Sequence, residues 1–175
     1  RAKDEGVKEV RVHALLDGRD VPPTSGQSYI DDMEAFFASV NDDNFHACFA
    51  SGGGRMQITM DRYQADWAMV RRGWEAHVRG QARLFPDATT AYQTLREETG
   101  ALDQDLPAFV IADGQEPVGK IEDGDTVIFF NFRGDRAIEM SMAFEDEDFP
   151  YFDRGQVPKV YYAGMLEYDG DLHVP

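Results

Sequence analysis

Three loops of this sequence carry arginines that could hold an anion together. Each loop follows a run of β-forming residues, and the arginines are Arg19, Arg55, Arg62, Arg133 and Arg136. The planar guanidinium group of arginine makes two-point contacts with carboxylate and phosphate groups. In a largely parallel α/β sheet the carboxyl ends of the strands lie along one edge, where ligands bind. The sequence therefore predicts that these guanidinium groups converge at one edge of a sheet.

The Arg19-Asp20 pair suits a phosphorylated hydroxy acid. Arg19 would hold the anion while Asp20 accepts a hydrogen bond or a proton from a nearby hydroxyl group, which makes Asp20 the candidate catalytic residue. The alternative is an ordinary turn in which Asp20 caps the backbone and Arg19 is solvated.

The other two loops also have features of an oxyanion site. Gly52-Gly53-Gly54 leaves the backbone bare beside Arg55, so that it can approach a ligand closely. The dinucleotide fingerprint and the Walker Lys-Ser/Thr pair are both absent, which excludes these nucleotide loops. Arg133 and Arg136 are three residues apart and could hold one anion from the same face of a turn. None of these residues is a nucleophile, and the histidines lack the spacing of metal ligands.

Composition limits the function classes further. The chain has 175 residues, with 17 Lys and Arg against 33 Asp and Glu, so a formal charge of -16 excludes broad binding to a nucleic-acid backbone. The single cysteine, Cys48, cannot form an internal disulfide, and no apolar run is long enough for a membrane helix. These features predict a cytoplasmic protein. Residues 1–6 lack an initiator Met and are typical of a helix end, which predicts a piece cut from a longer chain.

Hydrophobic periodicity predicts one α/β domain over residues 1–175. Strand-like runs cover residues 10–16, 45–50, 109–111, 126–130 and 160–166, and helical patterns cover residues 25–40, 63–78, 87–99 and a segment that ends near 144. The alternation predicts a three-layer fold, with a mostly parallel sheet between helices. Gly114, Pro117 and Gly119 predict a small antiparallel excursion.

Several long motifs carry a specific resemblance. They are His13-Ala-Leu-Leu-Asp-Gly-Arg-Asp-Val-Pro-Pro-Thr24, Ser51-Gly-Gly-Gly-Arg-Met-Gln-Ile-Thr-Met-Asp-Arg-Tyr63, Asp66-Trp67 with Arg72-Gly-Trp-Glu-Ala76, Asp123-Gly-Asp-Thr-Val-Ile-Phe-Phe-Asn-Phe-Arg-Gly-Asp-Arg136 and Tyr162-Ala-Gly-Met-Leu-Glu-Tyr-Asp-Gly-Asp171. Together they resemble the cofactor-independent (2,3-bisphosphoglycerate-independent) phosphoglycerate mutases, over essentially the whole chain. The resemblance is to the inserted, substrate-binding phosphotransferase domain, and the Gly-Gly-Gly-Arg-Met stretch is similar to the plant-type branch.

The resemblance implies an isomerase that interconverts 3-phosphoglycerate and 2-phosphoglycerate in glycolysis and gluconeogenesis. In that family a serine of a phosphatase-like domain takes up the phosphoryl group with two divalent metal ions, commonly manganese, while the inserted domain holds the glycerate. The matching motifs imply that Arg19 and Asp20 contact the glycerate, with Asp20 managing protons. They imply that Arg55 and Arg62 form a second substrate pair and that Arg133 and Arg136 hold the phosphate.

The resemblance also sets what this chain lacks. The family's serine, all of its metal ligands and an upstream histidine motif are absent. The fragment is therefore expected to bind no metal and to be inactive alone. Its expected partner is the phosphatase-like domain of the same chain, in a full enzyme that is a monomer. Two alternatives stay open. The chain could be a stand-alone phosphometabolite-binding module without catalysis, which the surrounding reading frame would test. The arginines could instead be mere surface ion pairs, which an absence of ordered anion after a substrate soak would favour.

Overall fold

Four helices and seven strands build residues 1–170 of the chain. The computed structural model describes residues 1–170, so Asp171 at the end of the last motif lies outside the described residues. The strands are β1 (Glu9–Leu16), β2 (His46–Gly54), β3 (Arg83–Phe85), β4 (Phe109–Asp113), β5 (Glu116–Pro117), β6 (Thr126–Phe129) and β7 (Tyr161–Gly164). The helices are α1 (Gly26–Val40), α2 (Trp67–His77), α3 (Ala88–Thr99) and α4 (Ile138–Glu145), with short 3-10 turns at Asp103–Asp105 and Gly134–Arg136.

The main sheet contains two parallel pairs joined in antiparallel fashion. Its strand order is β1-β2-β4-β3, and β5 pairs with β4 as the antiparallel excursion. β1 runs parallel to β2, and β3 runs parallel to β4, whereas β2 and β4 are antiparallel. β6 and β7 form a separate parallel pair. The predicted class, α/β with mostly parallel pairs, is confirmed.

The antiparallel join changes which strand ends meet. β1 and β2 end at one edge of the sheet, whereas β3 and β4 end at the opposite edge, because the direction reverses between β2 and β4. The expectation that all strands of the sheet end at one edge is therefore wrong: of the four strands in the strand order above, only β1 and β2 end at the edge near Arg55. The third arginine loop reaches the same region from the second sheet, after β6.

Helices cover both faces of the main sheet. One core joins α1 and α3 to the sheet through Ile30, Phe37, Tyr92, Leu95 and Phe109. A second core joins α2 and α4 through Val70, Trp74, Met140 and Ala143. Not all apolar residues at helical spacing in α1 are buried, since Tyr29, Met33 and Phe36 are exposed. Among residues 1–170, no helix combines the length and apolar character needed to cross a membrane.

Capping residues set where two helices begin. Asp87 accepts a hydrogen bond from the Thr90 amide at the start of α3, as its position before the helix predicts. The Asp66 side chain accepts a hydrogen bond from the Met69 amide, so α2 begins at Trp67 rather than at Tyr63. The prediction that Tyr63 belongs to this helix is wrong: its φ of 61° is left-handed, and its side chain is 79% exposed.

A buried aspartate anchors the edge where β1 and β2 end. Asp103 is 1% exposed and accepts hydrogen bonds from the Gly26 amide at 2.7 Å and the Tyr92 hydroxyl at 2.6 Å. The turn that starts at Asp103 also carries the Gln104 carbonyl, which accepts from the Met56 amide at 2.9 Å. The Gly54 amide also donates to the Leu106 carbonyl at 2.9 Å, so the backbone on both sides of Arg55 is fixed to the segment that Asp103 anchors.

Candidate anion site

Arg55 and Asp17 form an ion pair that ties the ends of β1 and β2 together. Arg55 Nη1 lies 2.6 Å from Asp17 Oδ1, and the Arg55 side chain is only 13% exposed. The backbone amide of Arg55 also donates to the Leu16 carbonyl at 3.0 Å. Arg55 Nε is buried and has no hydrogen-bond partner among the described residues. An unmatched buried donor of this kind favours an acceptor supplied by a ligand or a water molecule.

Arg136 joins this group from the second sheet. Its Nη1 donates to the Met60 carbonyl at 2.5 Å, which links the segment after β6 to the segment after β2. Burial, and then the positive charges of Arg55 and Arg62, lower the pKa of Arg136 below its ordinary value. Three like charges thus share one region, and an anion placed among them would relieve their repulsion.

The loops after β1 and β6 also meet. Arg133 Nη1 lies 3.3 Å from Asp20 Oδ2, and both side chains are more than half exposed. Arg62 Nη1 lies 4.0 Å from Asp135 Oδ2. Arg19 is exposed and makes no ion pair with any residue in the range 1–170. Of the predicted site residues, Asp20 and Arg133 contact each other directly. Arg62 reaches the loop of Arg133 and Arg136 through Asp135, and Arg136 reaches the segment before Arg62 through the Met60 carbonyl. Arg55 pairs with Asp17, in the loop that also carries Arg19 and Asp20.

Aspartates balance much of the positive charge at this edge. Three of the arginines have an aspartate partner, and the pairs are Arg55–Asp17, Arg62–Asp135 and Arg133–Asp20. Two of these pairs are solvent-exposed and therefore weak, so an anion with two-point contacts could displace the aspartates. The arrangement can bind and orient an anion, while the exposed Asp20 carboxylate lies beside it as a hydrogen-bond acceptor.

Sequence reasoning missed the residues that support the arginines. Asp17 stands in the same loop as Arg19 and could have been noticed there, whereas nothing in the sequence marks the Met60 carbonyl or Glu139. Glu139 is 2% exposed, and its Oε1 accepts from the Gln64 amide at 2.9 Å. Burial raises the pKa of Glu139, and its Oε2 has no partner among the described residues.

A chain of buried polar side chains lies beneath the site. His13 Nδ1 is 2.7 Å from Ser51 Oγ, and Ser51 Oγ is 2.7 Å from His77 Nδ1. His77 Nε2 is in turn 2.9 Å from Thr59 Oγ1. His13 is partly buried in β1, and its hydrogen bond to Ser51 Oγ makes it the first member of this chain. Burial lowers the pKa of His13 to about 4, and burial together with His13 lowers that of His77 to about 3.

Acid should destabilise the fold through these histidines. Both folded pKa values lie below the ordinary 6.5, so the unfolded chain takes up protons first and the free energy of unfolding falls as the pH drops below 6.5. For His77 alone we expect a loss on the order of 3 kcal/mol between pH 6.5 and pH 4. Urea unfolding at several pH values should show this slope, and His77→Gln should flatten it. Equal slopes in both proteins would contradict the assignment.

Metal ligands are not grouped in the described part of the chain. Residues 1–170 hold no cluster of three or more His, Cys, Asp or Glu side chains that could bind a metal ion. These residues therefore do not fit a two-metal centre.

Fold and site together define an α/β domain that gathers arginines from three loops near the ends of two parallel strands. The family model described as the BPG-independent PGAM N-terminus matches residues 1–170. The chain belongs to this family.

Relatives of known name agree with this assignment. The chain is 54% identical to a probable 2,3-bisphosphoglycerate-independent phosphoglycerate mutase of Leptospira interrogans, over 98% of this chain and 31% of the relative. It is 49% identical to the 2,3-bisphosphoglycerate-independent phosphoglycerate mutase of Prunus dulcis, over 99% of this chain and 36% of the relative. The chain thus spans about a third of the length of such relatives.

A solved structure matches the fold closely. A crystal structure of Leishmania mexicana phosphoglycerate mutase at low cobalt concentration superimposes with a TM-score of 0.97 and 56% identity. The match covers 99% of this chain and 32% of that one. This chain therefore has the fold of about a third of the Leishmania mexicana protein.

Proposed function

We propose that this chain is the substrate-holding domain of a phosphoglycerate mutase that interconverts 3-phosphoglycerate and 2-phosphoglycerate. The observation that carries the proposal is the contact between the arginine loops: Arg136 donates to the Met60 carbonyl in the segment between Arg55 and Arg62, and Arg133 lies 3.3 Å from Asp20. Phosphoryl transfer needs mainly positioning and neutralisation of charge, and guanidinium groups provide both.

Within this proposal each loop binds a different part of the substrate. Arg133 and Arg136 hold the phosphate, Arg55 and Arg62 form the second substrate pair, and Arg19 with Asp20 contacts the glycerate. The Asp20 carboxylate is exposed and accepts a proton or hydrogen bond from a glycerate hydroxyl. The unmatched Nε of Arg55 offers a further donor to the anion.

The bond-breaking chemistry would lie outside this chain. We propose that a phosphatase-like part of the same polypeptide supplies a serine that carries the phosphoryl group. Two divalent ions, with manganese as our choice, would be held there as well and would activate that serine. The support is that the chain spans about a third of its relatives and that residues 1–170 lack a metal-binding cluster. We also propose a cytoplasmic setting, as its single cysteine suggests.

Arg19→Lys tests the two-point contact with the glycerate. Because one ammonium group cannot reproduce the guanidinium fork, we expect a roughly 10-fold weaker Kd for 3-phosphoglycerate in the full-length protein. Isothermal titration measures the affinity directly. Arg71→Lys is the matched control, since Arg71 lies on α2 and pairs with Glu75. An unchanged Kd for Arg19→Lys would contradict the role of Arg19, and wild-type protein that binds no 3-phosphoglycerate would contradict the proposed function.

A further inference from the structure

A β-bulge turns Ser51 toward the helix that carries His77. Val12 pairs with Phe49 in the parallel ladder of β1 and β2, but His13 pairs with Ser51, so Ala50 is an extra residue in β2. Such an insertion changes which face of the sheet the following side chains occupy. Phe49 belongs to the core beneath α1 and α3, whereas Ser51 contacts His77 of α2 on the other face.

The buried chain of hydrogen bonds ends on a strained residue. Thr59 is 2% exposed and has a φ of 68°, a left-handed conformation that is unfavourable for a β-branched side chain. Its amide donates to the Met69 carbonyl at 3.0 Å, and its hydroxyl is bonded to His77 Nε2 at 2.9 Å. A Cβ at Gly73 would collide with this hydroxyl, so Thr59 packs directly on the backbone of α2. Backbone strain persists only where the surroundings hold it.

The segment that begins at Thr59 carries two contacts of the anion site. The next residue, Met60, supplies the carbonyl that Arg136 binds, and Arg62 follows two residues later. The far end of the segment is held by Glu139, which accepts from the Gln64 amide. Buried side chains therefore hold residues 59–64 at both ends, and α2 and α4 set where Arg62 and Arg136 lie.

We propose that His77 and Thr59 are positioning residues for the anion site. The His77 imidazole fixes the Thr59 hydroxyl, the strained backbone at Thr59 aims the Met60 carbonyl at Arg136, and Arg62 is placed as a consequence. Neither residue touches the substrate in this scheme. The functional part of the inference depends on the proposed function, because the site it organises is the substrate site.

Paired substitutions at Thr59 separate the hydrogen bond from the packing. Thr59→Val keeps the β-branched shape and loses the hydroxyl, whereas Thr59→Ser keeps the hydroxyl and loses a methyl group. In the full-length protein we expect Thr59→Val to raise KM for 3-phosphoglycerate about 10-fold, the usual effect of one lost hydrogen bond, and Thr59→Ser to stay within about 2-fold. Thermal unfolding of each variant reports whether it is folded, and Thr59→Ala replaces Thr59→Val if the latter does not fold.

Amide hydrogen exchange over residues 59–64 supplies a readout that is independent of activity. We expect faster exchange in Thr59→Val than in the wild type and in Thr59→Ser, with no change in α3 as an internal reference. If the wild-type protein shows no affinity for 3-phosphoglycerate but exchange still rises selectively, the proposed function fails and the role of His77 and Thr59 in holding the segment stands. If exchange and KM are unchanged in Thr59→Val, or if Thr59→Ser is equally impaired, the positioning role is overturned.

Discussion

Arg136→Ala is expected to lower kcat/KM of the full-length protein by about 30- to 1,000-fold, which corresponds to about 2–4 kcal/mol of transition-state stabilisation. Burial and the positive charges of Arg55 and Arg62 together lower the pKa of Arg136. Its removal would delete the proposed charge-assisted contact with the phosphate and would also leave the Met60 carbonyl without its guanidinium donor. Steady-state kinetics in the mutase direction measures the loss.

Arg71→Ala is the matched control for this experiment. The Arg71 guanidinium group also donates a hydrogen bond, but it lies on α2, pairs with Glu75 and is more than half exposed. We expect its kcat/KM to remain near that of the wild type, because an exposed ion pair contributes little. Near-normal kcat/KM in Arg136→Ala would remove Arg136 from the substrate site.

Gly54→Ala is expected to destabilise the fold by about 3 kcal/mol, the upper end of the usual cost of overpacking. A Cβ at Gly54 would lie 2.6 Å from the Asp103 carbonyl oxygen and still closer to the Gln104 carbonyl. Both obstacles are backbone atoms of a turn that Asp103 anchors in the core, so they cannot rotate away. The midpoint of urea unfolding should fall, and ligand affinity should fall with it, since Arg55 is the next residue.

Gly170→Ala provides the comparison, because the nearest atom of residues 1–170 that a Cβ there would meet is a Glu167 carboxylate oxygen at 4.0 Å. Its effect on the free energy of unfolding should stay within about 0.5 kcal/mol, as for most surface substitutions. Equal midpoints for Gly54→Ala and the wild type would show that the end of β2 can move away from the Asp103 turn.

Local patterns predicted the elements of this fold well. The apolar run that ends at Leu16, the spacing of apolar residues in α3 and the capping position of Asp87 each depend on neighbours in the sequence, and each was found as predicted. The positions of the arginines just after strands were equally visible. Long stretches of family motif then indicated the family and the proposed function, whereas the charged residues alone left a binding module, surface ion pairs and an enzyme as alternatives.

Pairing between distant segments could not be predicted in the same way. The antiparallel contact of Ser51 and Gly52 with Val110 and Phe109 depends on strands more than 50 residues apart. The bulge at Ala50 and the left-handed backbone at Thr59 have no local signal, because neither residue type favours such a conformation. The sequence therefore predicted the arginines of the candidate site but not the histidine, threonine and glutamate that hold them in place.

The antiparallel direction of β4 also places a turn far from the arginines, where a label could be attached. The turn after β4 lies at the opposite edge of the sheet from Arg55, and its Gly114 and Gln115 are exposed. A fluorophore or a surface tether attached at that turn would leave the edge that carries the arginines open to solution. Optical titrations and immobilised binding assays could then report on ligand capture without steric interference from the label.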